Sequence, residues 1–255
     1  MMRDFSAFAA RFGWPGAAGR FPLCIGHRGA SGHATENTLA AFRLASGLGA
    51  EMWELDTQLT SDGVVMVSHD DHLQRVFGID AHISGLTAAE LRARVAEVPT
   101  FAEVAALGRE LGTGLYVELK APGSGPKVWR ELMLHEQRFA CLGSFDTAQV
   151  RELRDSGCDY PLSVLVRVGH DPHALGDSAG ADVLHLCWER AGERPQDLVT
   201  AALLDKAFRT GREIVLWHEE RPAILGDIMR LPVLGICTDL PDLMRPAPAS
   251  HAGAA

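Results

Sequence analysis

Positive charge is in short supply in this chain. Lys and Arg number 24 against 33 Asp and Glu in 255 residues, a formal charge of −9. No basic tract interrupts that acidity, so nucleic acid is not an expected partner and attraction to anionic membranes is weak. Cysteine is scarce and scattered: Cys24, Cys141, Cys158, Cys187 and Cys237 are odd in number and never spaced as CxxC. That argues against a disulfide scaffold or a zinc finger and for reduced thiols in a cytoplasmic protein. Long apolar runs are missing as well. Nothing approaches the roughly 18 uninterrupted apolar residues of a membrane span, so stable membrane insertion is not expected. Near the start, residues 5–10 are cut short by Arg11 before they reach the length of a secretory signal.

What remains is an ordinary globular composition, 47% hydrophobic and 22% charged. A chain of this length buries roughly 70–75% of its unfolded surface and needs neither a disulfide nor zinc to hold a core. The expected organisation is one domain over residues 20–244. Residues 245–255, rich in Pro, Ala and Gly, are expected to form a disordered tail.

Short apolar runs occupy residues 23–26, 52–56, 115–119, 141–144, 162–166, 183–187, 213–217 and 234–238. Between them lie segments with apolar residues at three- and four-residue spacing, as in 39–48, 101–111, 150–155 and 198–209. Apolar strands alternating with amphipathic helices imply parallel strands covered by helices. Eight such units fit an α/β (β/α)8 TIM barrel. An open doubly wound sheet is the rival, and no GxGxxG follows a strand to favour it.

One segment breaks the alternation. Residues 54–59 run through Thr60-Ser61-Asp62-Gly63 into 64–69, too few residues for a parallel crossover. Asp62-Gly63 is a tight-turn signal, so a β-hairpin extension is expected after the second strand. Its return leg carries His69 back toward the strand's carboxylates. In a barrel that end is the face where chemistry sits.

Strand ends are where the charged residues collect. The second strand ends with Glu54 and Asp56, which share parity and so point to one side. The third ends with Glu118 and Lys120, and the first with His27-Arg28-Gly29. Residues 51–71 contain six carboxylates and no Lys or Arg. Acidic groups converging on a barrel mouth repel one another, and a divalent cation relieves that repulsion. Oxygen-only ligands suit Mg²⁺ or Ca²⁺ better than zinc. Taken singly, each carboxylate reads as a solvated loop residue and each histidine as a structural one. Glu36-Asn37-Thr38 reads mostly as helix-start chemistry. Their joint placement at successive strand ends is what argues for a site.

These residues together resemble the glycerophosphodiester phosphodiesterase family. The resemblance rests on His27-Arg28-Gly29, Glu36-Asn37-Thr38-Leu39-Ala40-Ala41-Phe42, Glu54-Leu55-Asp56, Thr60-Ser61-Asp62-Gly63, His69-Asp70 and Glu118-Leu119-Lys120. Further along, Pro99-Thr100-Phe101, Ser144-Phe145-Asp146, Trp217 and residues 235–241 also look like the family. It extends from about residue 23 to 244. It implies a TIM-barrel, metal-dependent phosphodiesterase that turns a glycerophosphodiester into glycerol phosphate and an alcohol. Carried over, Glu54, Asp56 and Glu118 hold the metal, and His27 and His69 are the acid–base pair. Arg28 and Lys120 bind phosphate oxygens, and Trp217 lines the pocket. A phosphodiester anion repels nucleophiles, so fixed cations on its oxygens and two proton-transfer groups suit the task.

Two departures stand out. Thr35 replaces a proline common in the family. Trp217-His218-Glu219-Glu220 stands where Trp-Thr-Val-Asn is usual. At least one of these polar residues is expected at the rim beside the leaving alcohol, with the two glutamates favouring a cationic or hydroxyl-rich headgroup. His185 is a weaker candidate for the pocket. The same barrel acting on a lysophospholipid or another phosphodiester is one alternative. A non-catalytic barrel that binds phosphorylated ligands is a second, and a metal-dependent isomerase or aldolase a third. No Gly-x-Ser-x-Gly elbow or Cys–His pairing supports covalent catalysis.

Overall fold

A computed structural model of the chain describes residues 4–15 and 21–245. Nine strands form in order: β1 (Leu23–His27), β2 (Met52–Leu59), β3 (Val65–Val67), β4 (Gly114–Leu119), β5 (Ala140–Ser144), β6 (Leu162–Arg167), β7 (Val183–Cys187), β8 (Glu213–His218) and β9 (Gly235–Thr238). All but β3 run parallel, each beside its neighbour, and β1 pairs with both β2 and β9. Those two pairings close an eight-stranded barrel with helices between the strands. The expected α/β TIM barrel is therefore what the chain adopts, and the open sheet is excluded.

Burial on both faces explains the near-continuous apolar strands. Inward-pointing Leu23, Ile25, Met52, Tyr116, Cys141, Val183 and Val215 fill the barrel. The alternate residues, such as Cys24, Trp53, Leu55, Leu115 and Val117, meet the surrounding helices. Burying each large apolar side chain stabilises by roughly 1.5–3 kcal/mol. The helices start where the sequence provides caps: Thr38 accepts from the Ala41 amide ahead of the helix Leu39–Gly47, and Thr100 forms a capping box with Glu103 ahead of Phe101–Leu111.

β3 lies antiparallel on β2, with Thr57 opposite Val67 and Leu59 opposite Val65. The Ser68 amide then donates to the Asp56 carbonyl at 3.0 Å, which holds the return leg beside the end of β2. Residues 68–100 wrap a small satellite core of Met66, Leu73, Ile83, Leu91, Val95 and Val98.

The helix Ser6–Arg11 lies ahead of the residue-20 start expected for the domain, and it packs on the barrel. Phe5, Phe8, Phe12 and Trp14 cover the end of the interior opposite the strand C-termini. Trp14 Nε1 donates to the Ala140 carbonyl at 3.3 Å and Arg11 pairs with Asp182 at 3.1 Å. Arg245, the first residue of the expected tail, clasps both oxygens of Glu51 at 3.0 and 2.9 Å. The rest of that tail, 246–255, lies outside the described residues. All five cysteines are unpaired.

Candidate active site

The first side of the site is made by two interlocked turns. β1 ends at His27, and Arg28 and Gly29 follow with φ of 54° and 89°. An added Cβ on Gly29 would sit 2.7 Å from the Ala41 backbone, so the turn needs glycine for both conformation and space. Asn37, also left-handed at φ 57°, donates its amide to the Arg28 carbonyl. Asparagine tolerates that conformation better than most residues. Its side chain donates to Asp56 at 2.9 Å.

The carboxylates come from adjacent strands. Register places Asp56 on β2 directly beside Glu118 on β4, with Glu54 one layer below beside Tyr116. Oxygens of Glu54, Asp56 and Glu118 all lie within 4.8 Å of one another. Burial, and then the neighbouring Asp56, push the Glu118 pKa up to about 7. Glu54 is raised well above its ordinary value by burial and by Asp56 and Glu118. Asp56 goes the other way: burial opposes its charge, but Lys120 and Arg28 outweigh it. Lys120 Nζ reaches Glu118 at 3.0 Å and Asp56 at 3.4 Å, and Arg28 Nε stands 3.3 Å from Asp56. The segment 51–71 lacks cations in sequence, but the fold brings two from elsewhere. Three buried carboxylates remain in excess over them, a donor set that fits a hard divalent cation.

Each of the two histidines is oriented by an aspartate. His27 Nδ1 meets Asp239 Oδ1 at 2.6 Å, and His69 Nδ1 meets Asp70 Oδ1 at 2.6 Å. An ionised carboxylate can only accept, so Nδ1 donates in both pairs and Nε2 is left to exchange protons. Asp239 is itself held by Ser31 Oγ at 2.8 Å. Burial lowers the His27 pKa despite that partner. Asp70 also takes Arg75, and Arg75 binds Glu36, which in turn binds Arg28 at 3.0 Å. Glu36 and Asn37 therefore buttress the site, whereas the sequence suggested mostly helix-start chemistry. Only Thr38 does that work.

A cavity of about 430 Å³ opens at the C-terminal ends of the strands, lined by His27, Arg28, Glu54, His69, Glu118, Lys120 and Trp217 among others. Asp56 sits just behind this lining, 1% exposed. The fold thus gathers all eight residues singled out from the sequence. It adds His185, His218 and Arg75 to the lining, and behind it Asp239, whose role beside His27 was not read from the sequence. Asp239 does follow a strand end directly, the one signal that could have flagged it.

The altered segment after Trp217 sends one polar residue, His218, to the cavity as expected, but not the two glutamates. β8 carries a register shift against β9 between Leu216 and His218, so one extra residue is accommodated there. Such a bulge re-aims side chains at a barrel rim, and Trp217 and His218 both line the cavity. Glu219 does not. It is 2% exposed and clamped by Arg221 at 2.6 and 2.8 Å. Glu220 accepts from the Asp239 amide at 2.9 Å. The two glutamates expected to select a cationic headgroup are thus tied to the backbone and to Arg221, and only His218 reaches the pocket.

The model of the glycerophosphoryl diester phosphodiesterase family matches residues 27–243. The chain belongs to that family. A glycerophosphodiester phosphodiesterase of Caldanaerobacter subterraneus subsp. tengcongensis is 26% identical over 240 residues, 87% of this chain and 96% of that one. The solved glycerophosphodiester phosphodiesterase of Thermotoga maritima superposes with a TM-score of 0.75 at 25% identity, covering 89% of this chain and 98% of that one. A phosphodiesterase from Oleispira antarctica, solved with its product sn-glycerol-3-phosphate, superposes at 0.73 with 21% identity over 88% of this chain and 95% of that one. This family member is a phosphodiesterase with a buried acidic cluster that could hold a metal ion. Among the described residues no helix is long and apolar enough to cross a membrane.

Proposed function

We propose that the protein hydrolyses a glycerophosphodiester to glycerol phosphate and an alcohol, with a divalent metal held by Glu54, Asp56 and Glu118 and with His27 and His69 as the acid–base pair. The observation that carries this reading is the pairing of two aspartate-oriented histidines with a trio of buried carboxylates around one cavity. Mg²⁺ or Ca²⁺, when bound there, supplies positive charge to the non-bridging phosphoryl oxygens. Lys120 and Arg28 stand against the same carboxylates and extend that positive field toward the substrate. Asp239 and Asp70 hold the imidazoles so that Nε2 of one takes a proton from the attacking water while Nε2 of the other gives one to the departing oxygen. Trp217 lines the cavity and offers an apolar wall to the carbon chain of the substrate. The partner is a small molecule, and a cytoplasmic location agrees with the five free thiols.

The test is turnover of glycerophosphocholine and related diesters after chelation and metal add-back, in wild type and in His27→Ala and His69→Ala. Activity should vanish on chelation and return with metal, and each histidine variant should lose about 10²–10⁴-fold in kcat. Full turnover in excess chelator would remove the metal from the reading. Near wild-type kcat in either variant would reassign that histidine to a structural role.

A further inference from the structure

Two histidines line the cavity without belonging to the acid–base pair. His218 lies flat on His27, with ring centroids 4.4 Å apart and planes 3° apart. That stack fixes the plane of the ring but engages neither of its nitrogens, and none of the described residues hydrogen-bonds to them. His185 projects inward from β7 in the same lining. Among the described residues its Nδ1 has no hydrogen-bond partner, and its Nε2 meets only the Cys237 thiol at 3.9 Å. Burial, reinforced by His27 and His218, pushes its pKa down to about 3, so the ring is neutral at physiological pH. A buried polar nitrogen left unpaired carries a desolvation cost that a ligand group can recover.

The chemistry of this wall is specific. The lining groups on β7 and β8 themselves are His185, Cys187, Trp217 and His218, none of them a carboxylate, lysine or arginine. Glu189 and Arg190 lie beyond the end of β7 and face each other at 3.7 Å. The cations and carboxylates that suit a phosphate come from the turn after β1 and from β2 and β4. A substrate in the cavity therefore meets charge from the β1, β2 and β4 side and, on the adjoining β7–β8 side where His218 stacks on His27, hydrogen-bonding nitrogens beside an indole. Uncharged hydroxyls on a short carbon chain match that second side.

We propose that His185 and His218 hydrogen-bond the hydroxyls of the glycerol arm, so that the enzyme selects a diester whose arm carries a hydroxyl on its distal carbon. This rests on the glycerophosphodiester reading and names the part of the site that recognises glycerol. A site built to hydrogen-bond a hydroxyl rejects the analogue lacking it far more strongly than a pocket that merely encloses it.

The experiment compares kcat/KM for sn-glycero-3-phosphocholine with that for 2-hydroxypropyl phosphocholine. The second compound lacks only the terminal hydroxyl and keeps the one beside the phosphate. Wild type should prefer the glycerol compound by about tenfold or more, the factor that follows from roughly 1.4 kcal/mol of lost hydrogen bonding. His218→Phe keeps a flat ring against His27 and removes both nitrogens, and His185→Phe does the same on β7. Either variant should shrink the preference toward unity, with the larger loss falling on the glycerol compound. A preference retained in both variants would overturn the inference. A wild-type ratio near one would overturn it too, and that measurement needs no variant to fold. Turnover of neither compound by the metal-loaded wild type would overturn the phosphodiesterase reading, and the inference with it.

Discussion

Single residues in this site are set by their neighbours more than by their own chemistry. Asp239 shows it well. Burial works against its charge, yet the hydrogen bond and charge of His27, with help from Ser31, hold its pKa at about 2. A carboxylate whose pKa is depressed in the folded state contributes stability that is fully present above its unfolded value, near 3.8. The contribution fades as pH falls from there toward about 2. Its size is about 2 kcal/mol at neutral pH. Denaturant unfolding of wild type and Asp239→Asn between pH 6 and about 2.5 should therefore show the gap between them closing on the acid side. A constant gap across that range would mean that Asp239 stabilises the turn without its charge.

At the scale of elements, the end of β8 separates two roles that the sequence runs together. The extra residue at the bulge turns Trp217 and His218 into the cavity, and the chain then leaves the barrel through Glu219. The Glu219 amide donates to the Cys237 carbonyl and its own carbonyl accepts from Thr238 Oγ1, so its backbone is locked to β9. The side chain is committed to Arg221, both to its guanidinium and to its amide. Glu219→Gln should accordingly lower stability by about 1–2 kcal/mol, since charged hydrogen bonds to a nearly buried carboxylate are weakened. In a chain of this size that is roughly 2–8 °C in Tm. The ranking of choline, ethanolamine, inositol and serine diesters by kcat/KM should stay as in wild type. A changed ranking at unchanged Tm would place Glu219 in the pocket after all.

Across the whole molecule, the barrel concentrates repulsion at one end. Glu54 and Glu118 are pushed toward their protonated forms by burial and by their neighbours, and Lys120 and Arg28 offset only part of that. A cation that binds the folded trio and not the unfolded chain must stabilise the fold, by about 2.7 kcal/mol at a hundredfold excess over Kd. Dialysed protein should therefore gain roughly 5–10 °C in Tm as Mg²⁺ or Ca²⁺ is added, and Glu54→Gln should lose most of that gain. No shift with either ion would show that the trio does not bind one.

The amino-acid sequence by itself determined the strands, the helices between them and their alternation, because apolar periodicity is a local property of each segment. It also determined which residues stand at strand ends. Parity along β2 put Glu54 and Asp56 on one side, and turn chemistry at Asp62-Gly63 foretold the reversal that leads to His69. Tertiary structure alone decided what those residues meet. Asp239 lies 212 positions from the His27 it orients, and Asn37 is 19 from the Asp56 it binds. Arg75 reaches back 39 positions to Glu36. No local pattern encodes such pairs: His27–Asp239 exists only once β9 has closed against β1, and Asn37–Asp56 only once β1 lies beside β2. The same is true of Glu219, whose charge suggested a headgroup contact until the bulge turned His218 inward and left the carboxylate to Arg221. A residue's type follows from sequence. Its partner follows from barrel closure and from where one extra residue shifts the register.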